Sequence, residues 1–416
     1  MGLRLYRSTS PKQSYPLLKF YYFRWFRIMM KPILLTVTLI CLYTIHVFGQ
    51  KTTDSTAKST TTQLSQPGMT GPLMLNPNPV KFGDVYVSGV VSGLAQFQNH
   101  VAPGDKAAQT DVSNGQIFIQ KNSGLIQFFA EVGAYSQPDI GVPYLNSSHS
   151  PSTFYGVLPM AYLQIAPTDN FSVMVGKLPA FMGAEYTFSF QNMNIQRGLL
   201  WDQSNSINRG IQVNYSVGKV AFALSYNDGF YSGKYNWLSG TVTYVADSAN
   251  TLMLIGAGSL SRTTIATSAT PLYQDNEQGY NIVYTHNLGN FTIEPYIQYT
   301  VVPKNALLNM MQNASTYGAA LLVKYSFPRT GFSLPVRMEY INSNGSADKG
   351  NPSLIYGAGS NAWSATVTPT YTYKRMFVRV ELSYVKAGDI TNGDAFGTLH
   401  NDDSQSRALI ETGFIF

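Results

Sequence analysis

The chain has 416 residues, of which 44% are hydrophobic, 13% aromatic and only 12% charged. An ordinary soluble domain carries about 25% charged residues, and a polytopic helical membrane protein needs several apolar runs of ~20 residues. This chain is too poor in charge for the first and lacks the runs for the second, whereas few charges with 28 Tyr and 35 Gly fit a transmembrane β-barrel.

The formal charge of +6 belongs to the first 49 residues. These hold Arg4, Arg7, Lys12, Lys19, Arg24, Arg27 and Lys31 and no acid, which leaves 21 basic and 22 acidic residues after Gly49. No nucleic-acid partner is therefore expected. The single cysteine, Cys41, lies in the same stretch, so a chain without it has no thiol, which suits export through an oxidising periplasm.

Residues 1–29 read as an over-extended gene start or a long basic leader. Residues 30–49 have the parts of a secretory signal peptide. Lys31 supplies the charge, Ile33 to Phe48 the apolar centre, and Gly49 the small residue before Gln50. An uncleaved anchor is the alternative. Residues 50–82 form a polar linker, Ser/Thr-rich over 51–62 and with four prolines over 67–80. A plug inside a barrel lumen is the sharper alternative for this linker.

From Gly83 to Phe416 the hydrophobic period is two. In 331–340, Phe332, Leu334, Val336, Met338 and Tyr340 share one face, and Ser333, Pro335, Arg337 and Glu339 the other. The same alternation over the whole region predicts sixteen strands. They fall near 84–98, 115–121, 124–136, 155–166, 170–177, 209–217, 219–227, 236–246, 250–260, 279–287, 290–302, 317–327, 331–342, 361–372, 374–386 and 405–416. Tight turns alternate with long loops, as in outer-membrane barrels with short periplasmic turns and long external loops. The fold class predicted is all-β, a closed antiparallel transmembrane barrel, because a sheet in hydrocarbon tolerates no unpaired edge. The chain ends on Phe414 and Phe416, a terminal aromatic pattern that reads as an assembly signal for the barrel-assembly machinery of a Gram-negative outer membrane.

If the apolar face meets lipid, the polar face carries Glu131, Glu294, Lys324, Arg337, Glu339, Arg375, Arg379, Glu381, Arg407 and Glu411 toward the lumen. Outward placement of Arg or Lys at mid-depth costs ~2–4 kcal/mol. These ten are the pore-lining candidates, and mutual bracing of the wall is the alternative role. The third loop, about 178–208, is rich in Phe, Leu, Met and Trp. So apolar a loop has to pack against something, which predicts a loop folded inward. An outward lobe serving oligomer contact is the alternative. The inward fold would carry Glu185, Arg197 and Asp202 toward the lumen as a constriction. The four histidines after the leader (His100, His149, His286, His400) form no metal-binding pair, and no Gly-x-Ser-x-Gly or P-loop pattern occurs. No catalytic residue, metal or cofactor is assigned.

The string Gly176-Lys177-Leu178-Pro179, Gly183-Ala184-Glu185, Gln196-Arg197-Gly198-Leu199-Leu200 and Asn208-Arg209-Gly210 resembles the family of putative β-barrel porins called OmpL-like. A looser likeness runs from about residue 80, through Ser88-Gly89 and Ser92-Gly93, to Phe416. The resemblance implies an outer-membrane channel and makes Lys177, Glu185, Arg197 and Arg209 constriction candidates, without a transferable catalytic residue or solute. The function expected is a porin for passive diffusion of small hydrophilic solutes, embedded in outer-membrane lipid, with a homo-trimer as a candidate assembly. A closed structural or adhesive barrel is second, and an outer-membrane hydrolase third.

Overall fold

The computed structural model describes residues 80–264 and 273–416. The expected leader, signal peptide and most of the linker lie outside the described residues. The strands are β1 (Val85–Gln98), β2 (Ala108–Lys121), β3 (Ile126–Tyr135), β4 (Ala161–Thr168), β5 (Phe171–Pro179), β6 (Ile207–Val217), β7 (Val220–Asn227) and β8 (Trp237–Val245). They continue as β9 (Asn250–Ser259), β10 (Gln278–Leu288), β11 (Phe291–Val302), β12 (Ala314–Ser326), β13 (Phe332–Ser343), β14 (Asn361–Val367 and Thr370–Tyr373), β15 (Met376–Gly388) and β16 (Ser404–Ile415). Each pairs antiparallel with its neighbours in sequence. β16 pairs with β1, from Arg407 opposite Gln98 to Ile415 opposite Val90. The sheet is thus a closed sixteen-stranded barrel.

All sixteen predicted strands are present, with shifted ends. β2 starts at Ala108, earlier than expected, and a bulge beside Ser92 and Gly93 of β1 absorbs its extra residue. The fourth strand starts at Ala161, later than expected, after a helical turn at Ser150–Thr153 and an irregular stretch over 154–160. β14 is interrupted at Thr368-Pro369, since proline has no N–H for the ladder. The tight turns are two to five residues long, and at Gly218 and Gly289 φ is +58°, a conformation that favours glycine in two-residue hairpins.

Closure reaches the last residue. Phe416 and Gly89 exchange two backbone hydrogen bonds of 3.0 Å. A side chain at Gly89 would lie 2.6 Å from the Phe416 ring, so glycine is required there. A three-residue strand, Val80–Phe82, pairs with Val85–Val87 just beyond the chain end and covers the part of β1 that β16 does not reach.

Side chains alternate along every strand. Val91, Ile117, Leu163, Val175, Ile211, Leu224, Leu254, Ile282, Ile297, Met338, Leu382 and Ile410 are exposed on the outward face. The opposite face is buried, and it is less polar than the sequence suggests. Val90, Phe118, Phe129, Tyr162 and Met174 form one buried apolar cluster with Phe188 and Phe190. Ile255, Val283, Leu322 and Ile341 form another with Met182, Met193, Leu199 and Leu200. In both clusters the partners come from residues 180–206, the connection between β5 and β6.

Candidate functional site

Period-two alternation sets Arg337 and Glu339 side by side on the buried face of β13, Arg379 and Glu381 on β15, and Arg407 and Glu411 on β16. Register places Arg379 directly opposite Glu411. Arg337, Arg379, Glu381 and Glu411 are 0% exposed. A buried charge needs a paired, hydrogen-bonded environment, and residues 185–203 supply most of it.

Glu381 accepts hydrogen bonds from Ile195 N (2.5 Å), Gln196 N (3.0 Å), Gln196 Nε2 (2.9 Å) and Thr368 Oγ1 (2.7 Å). Arg379 pairs with Glu411 through Nε at 2.9 Å and also through Nη2, and it donates to the carbonyls of Ser189 and Asn192 at 3.1 Å each. Glu411 also accepts from Ser113 Oγ at 2.6 Å and Ser189 Oγ at 3.0 Å. Arg337 contacts Glu185 at 2.5 Å and Glu339 at 3.1 Å, and it donates to the Gln196 carbonyl at 2.7 Å. Glu339 accepts from Leu199 N at 3.1 Å and Ser364 Oγ at 2.7 Å. Arg407 donates to Gln98, Gln196 and the carbonyls of Asp139 and Val142. Arg337, Arg379, Glu339 and Glu381 thus bind main-chain groups of one segment, which has no regular ladder of its own to satisfy it, whereas Arg407 and Glu411 reach it through the side chains of Gln196 and Ser189.

The segment's own charges complete this network. Arg197 is fully buried. It pairs with Asp139 at 2.5 Å, donates to the Thr187 carbonyl and lies 5.1 Å from the Trp201 ring. Glu185 bridges Arg337 and the Gly198 N–H, the latter at 2.9 Å. Burial pushes its carboxyl up to about 7 against the opposing pull of Arg337. Burial, then the neighbouring Asp139 and Glu339, push the Asp202 carboxyl well above the usual range. A Cβ at Gly198 would sit 2.0 Å from Glu339 Oε1, so any side chain there has to displace that carboxylate.

The remaining candidates lie elsewhere. Glu131 on β3 is fully buried, with one oxygen taking the Gln116 amide at 2.6 Å. Glu294 on β11 and Lys324 on β12 are half-buried and diagonal neighbours, since Thr292 is opposite Lys324 and Glu294 opposite Leu322. Arg375 falls in the Lys374-Arg375 turn rather than on a strand. Lys177 and Arg209, expected at the constriction, are directly opposite each other on β5 and β6 and share the outward face of Val175 and Ile211. Strand parity could have revealed this from sequence, since both are two residues from an outward apolar position. Phe414 is outward and stacks on Phe416, centroids 6.3 Å apart. Sequence reading missed Asp105, Asp139 and Asp228, the loop carboxylates that pair with Arg407, Arg197 and Arg209. No local pattern marks them.

The family model described as "Putative beta-barrel porin-2, OmpL-like" matches residues 84–416, the whole of the barrel. The chain belongs to this family. It is a porin-family outer-membrane β-barrel. Its barrel is similar to that of the outer-membrane channel DcaP of Acinetobacter baumannii, at 13% identity and a TM-score of 0.55, covering 81% of this chain and 99% of that one. It is also similar to OmpT of Vibrio cholerae, at 12% identity and 0.53, covering 82% and 100%. Salmonella typhi OmpF, solved in complex with daunomycin, aligns at 12% and 0.52, covering 81% and 99%. At these identities the likeness is one of fold. No curated protein compared with the chain matches it.

Proposed function

We propose that this porin passes small hydrophilic solutes and ions by passive diffusion, through a lumen narrowed by residues 180–206 folded inward. One observation carries the reading. Buried-face charge on β13, β15 and β16 is sealed against the segment, whereas Glu294 and Lys324 keep partial exposure, and Tyr186 of the segment is 38% exposed. A water path then runs along the β10–β12 side. Arg337, Glu339, Arg379, Glu381, Arg407 and Glu411 act as braces holding the constriction rather than as the path's lining. Arg197, Glu185 and Asp202 belong to the same brace. Glu294 and Lys324 are the charges that permeating ions meet. Their signs oppose, so ion preference is weak.

The reading assigns no catalytic step. It includes a lipid-facing outer surface and recognition of the Phe416 terminus by the assembly machinery. It also includes a homo-trimer, the form in which one OmpT structure of Vibrio cholerae is described. A closed structural barrel is the second reading, favoured by the two apolar clusters that the segment shares with the wall. Liposome swelling with neutral sugars of increasing size separates the two. The porin reading expects uptake of the smallest sugars and a sharp size limit, and a complete lack of swelling would favour the closed barrel.

A further inference from the structure

Lys177 and Arg209 end an apolar surface. Below them on the outward face lie Val175 and Ile211, and beside them Leu158, Tyr226 and Tyr235, all exposed. The pair stands at the long-loop end of β5 and β6, the end that faces outside in such barrels. Lys177 Nζ donates to the carbonyls of Tyr155 (3.1 Å) and Leu158 (2.8 Å), which uses two of its three protons and neutralises none of its charge. Arg209 pairs with Asp228 at 2.7 Å and donates to the Tyr231 carbonyl at 3.3 Å. Asp228 is fully buried and also takes the N–H groups of Arg209 and Gly233, so its acceptor capacity is spent locally. Both cations converge on one ring, with Arg209 4.0 Å and Lys177 5.5 Å from the centre of Tyr231. The pair and Asp228 leave one net positive charge at the edge of hydrocarbon. Lys234, donating to the Arg262 carbonyl at 2.7 Å, adds a further cation along the same rim.

We infer that Lys177, Arg209 and Tyr231 form a lipid-facing site for the phosphate of an outer-leaflet lipid headgroup. Cations at the upper boundary of an apolar surface, with unspent N–H donors, suit an anion held at headgroup height. A phosphate can bridge an ammonium and a guanidinium on adjacent strands, while its acyl chains lie along Val175 and Ile211.

The test titrates the refolded chain in detergent micelles with diphosphoryl lipid A, read by native mass spectrometry. Lys177→Gln keeps a donor for the two carbonyls but removes the charge. Loss of that charge-assisted contact should weaken lipid binding about five- to tenfold. Lys219→Gln is the matched control at the opposite end of the barrel, where the lysine also donates to a backbone carbonyl, that of Ala246, and it should bind as wild type does. Fully dephosphorylated lipid A should bind wild type as weakly as the phosphorylated lipid binds Lys177→Gln. Equal binding by Lys177→Gln and wild type overturns the site, as does equal binding of the dephosphorylated lipid. Equal weakening by Lys219→Gln reduces the effect to bulk charge and also overturns it. Full competition by millimolar inorganic phosphate would reassign the site to the free ion and overturn the lipid assignment.

Discussion

Replacing Glu381 with alanine tests the brace directly. Its carboxylate is 0% exposed and takes two backbone N–H groups of the segment, Ile195 at 2.5 Å and Gln196 at 3.0 Å, together with the Gln196 side chain. Alanine leaves both N–H groups buried without an acceptor, and each stranded group costs about 1–3 kcal/mol. Partial relaxation toward the Thr368 hydroxyl brings the net loss to about 3 kcal/mol for local opening. At about 1.4 kcal/mol per tenfold, exchange of those amides should accelerate roughly a hundredfold. Hydrogen–deuterium exchange with mass spectrometry, on peptides covering 193–198 in detergent, measures this. Glu294→Gln, which touches no residue of 193–198, serves as the control and should leave those peptides unchanged. Identical exchange in Glu381→Ala and wild type would refute the idea that this carboxylate holds the segment.

Three further outcomes follow from the geometry. Gly198→Ala drives a methyl into the Glu339 carboxylate and should lower the unfolding free energy by about 1–3 kcal/mol; an unchanged denaturation midpoint contradicts the contact. Both oxygens of Asp275 are buried without a hydrogen-bond partner among the described residues, and burial, helped by Asp228, lifts its carboxyl to about 7. The folded state therefore holds this proton more tightly than the unfolded chain, so stability falls as pH rises from about 4 to about 7. Asp275→Asn should raise Tm at pH 8, leave it unchanged at pH 4 and flatten the slope between; a Tm gain equal at both values rejects the assignment. In bilayers, Glu294→Gln should shift reversal potentials toward anions and Lys324→Gln toward cations. If neither variant moves the potential, the water path runs elsewhere.

The strands were legible because lipid on one side imposes a strict period of two over sixteen segments. The loop lengths were legible because turns and loops segregate by end. The character of the barrel interior was not. Val90, Phe118, Phe129, Met174, Ile255 and Val283 occupy buried-face positions that a water-filled lumen would make polar, and they are apolar because they pack on residues 180–206. In those strands the buried face mixes apolar residues with polar ones such as Gln96, Gln116 and Asn281, so alternation marks the faces less sharply than on β13 and β15. Alternation sets the charges of β13, β15 and β16 on one face, but their partners are not legible, since main-chain N–H groups of a distant loop leave no signature in sequence. The apolar composition of 178–208 did signal that the loop must be buried. Lys177 and Arg209 flank the long loop, so they read as part of it, although strand parity alone sets both on the outward face.

The central claim, that one inward-folded segment sets the size of the path, is open to a single comparison. Gly183 and Ser204 lie close together, with a Cβ at Gly183 falling 3.6 Å from Ser204 Oγ, so residues 184–203 can be replaced by a short glycine–serine bridge without moving β5 or β6. Single-channel recording in planar bilayers of the refolded wild type and this variant should give small, stable steps for the first and several-fold larger ones for the second. Steps of equal size in both proteins would contradict the account.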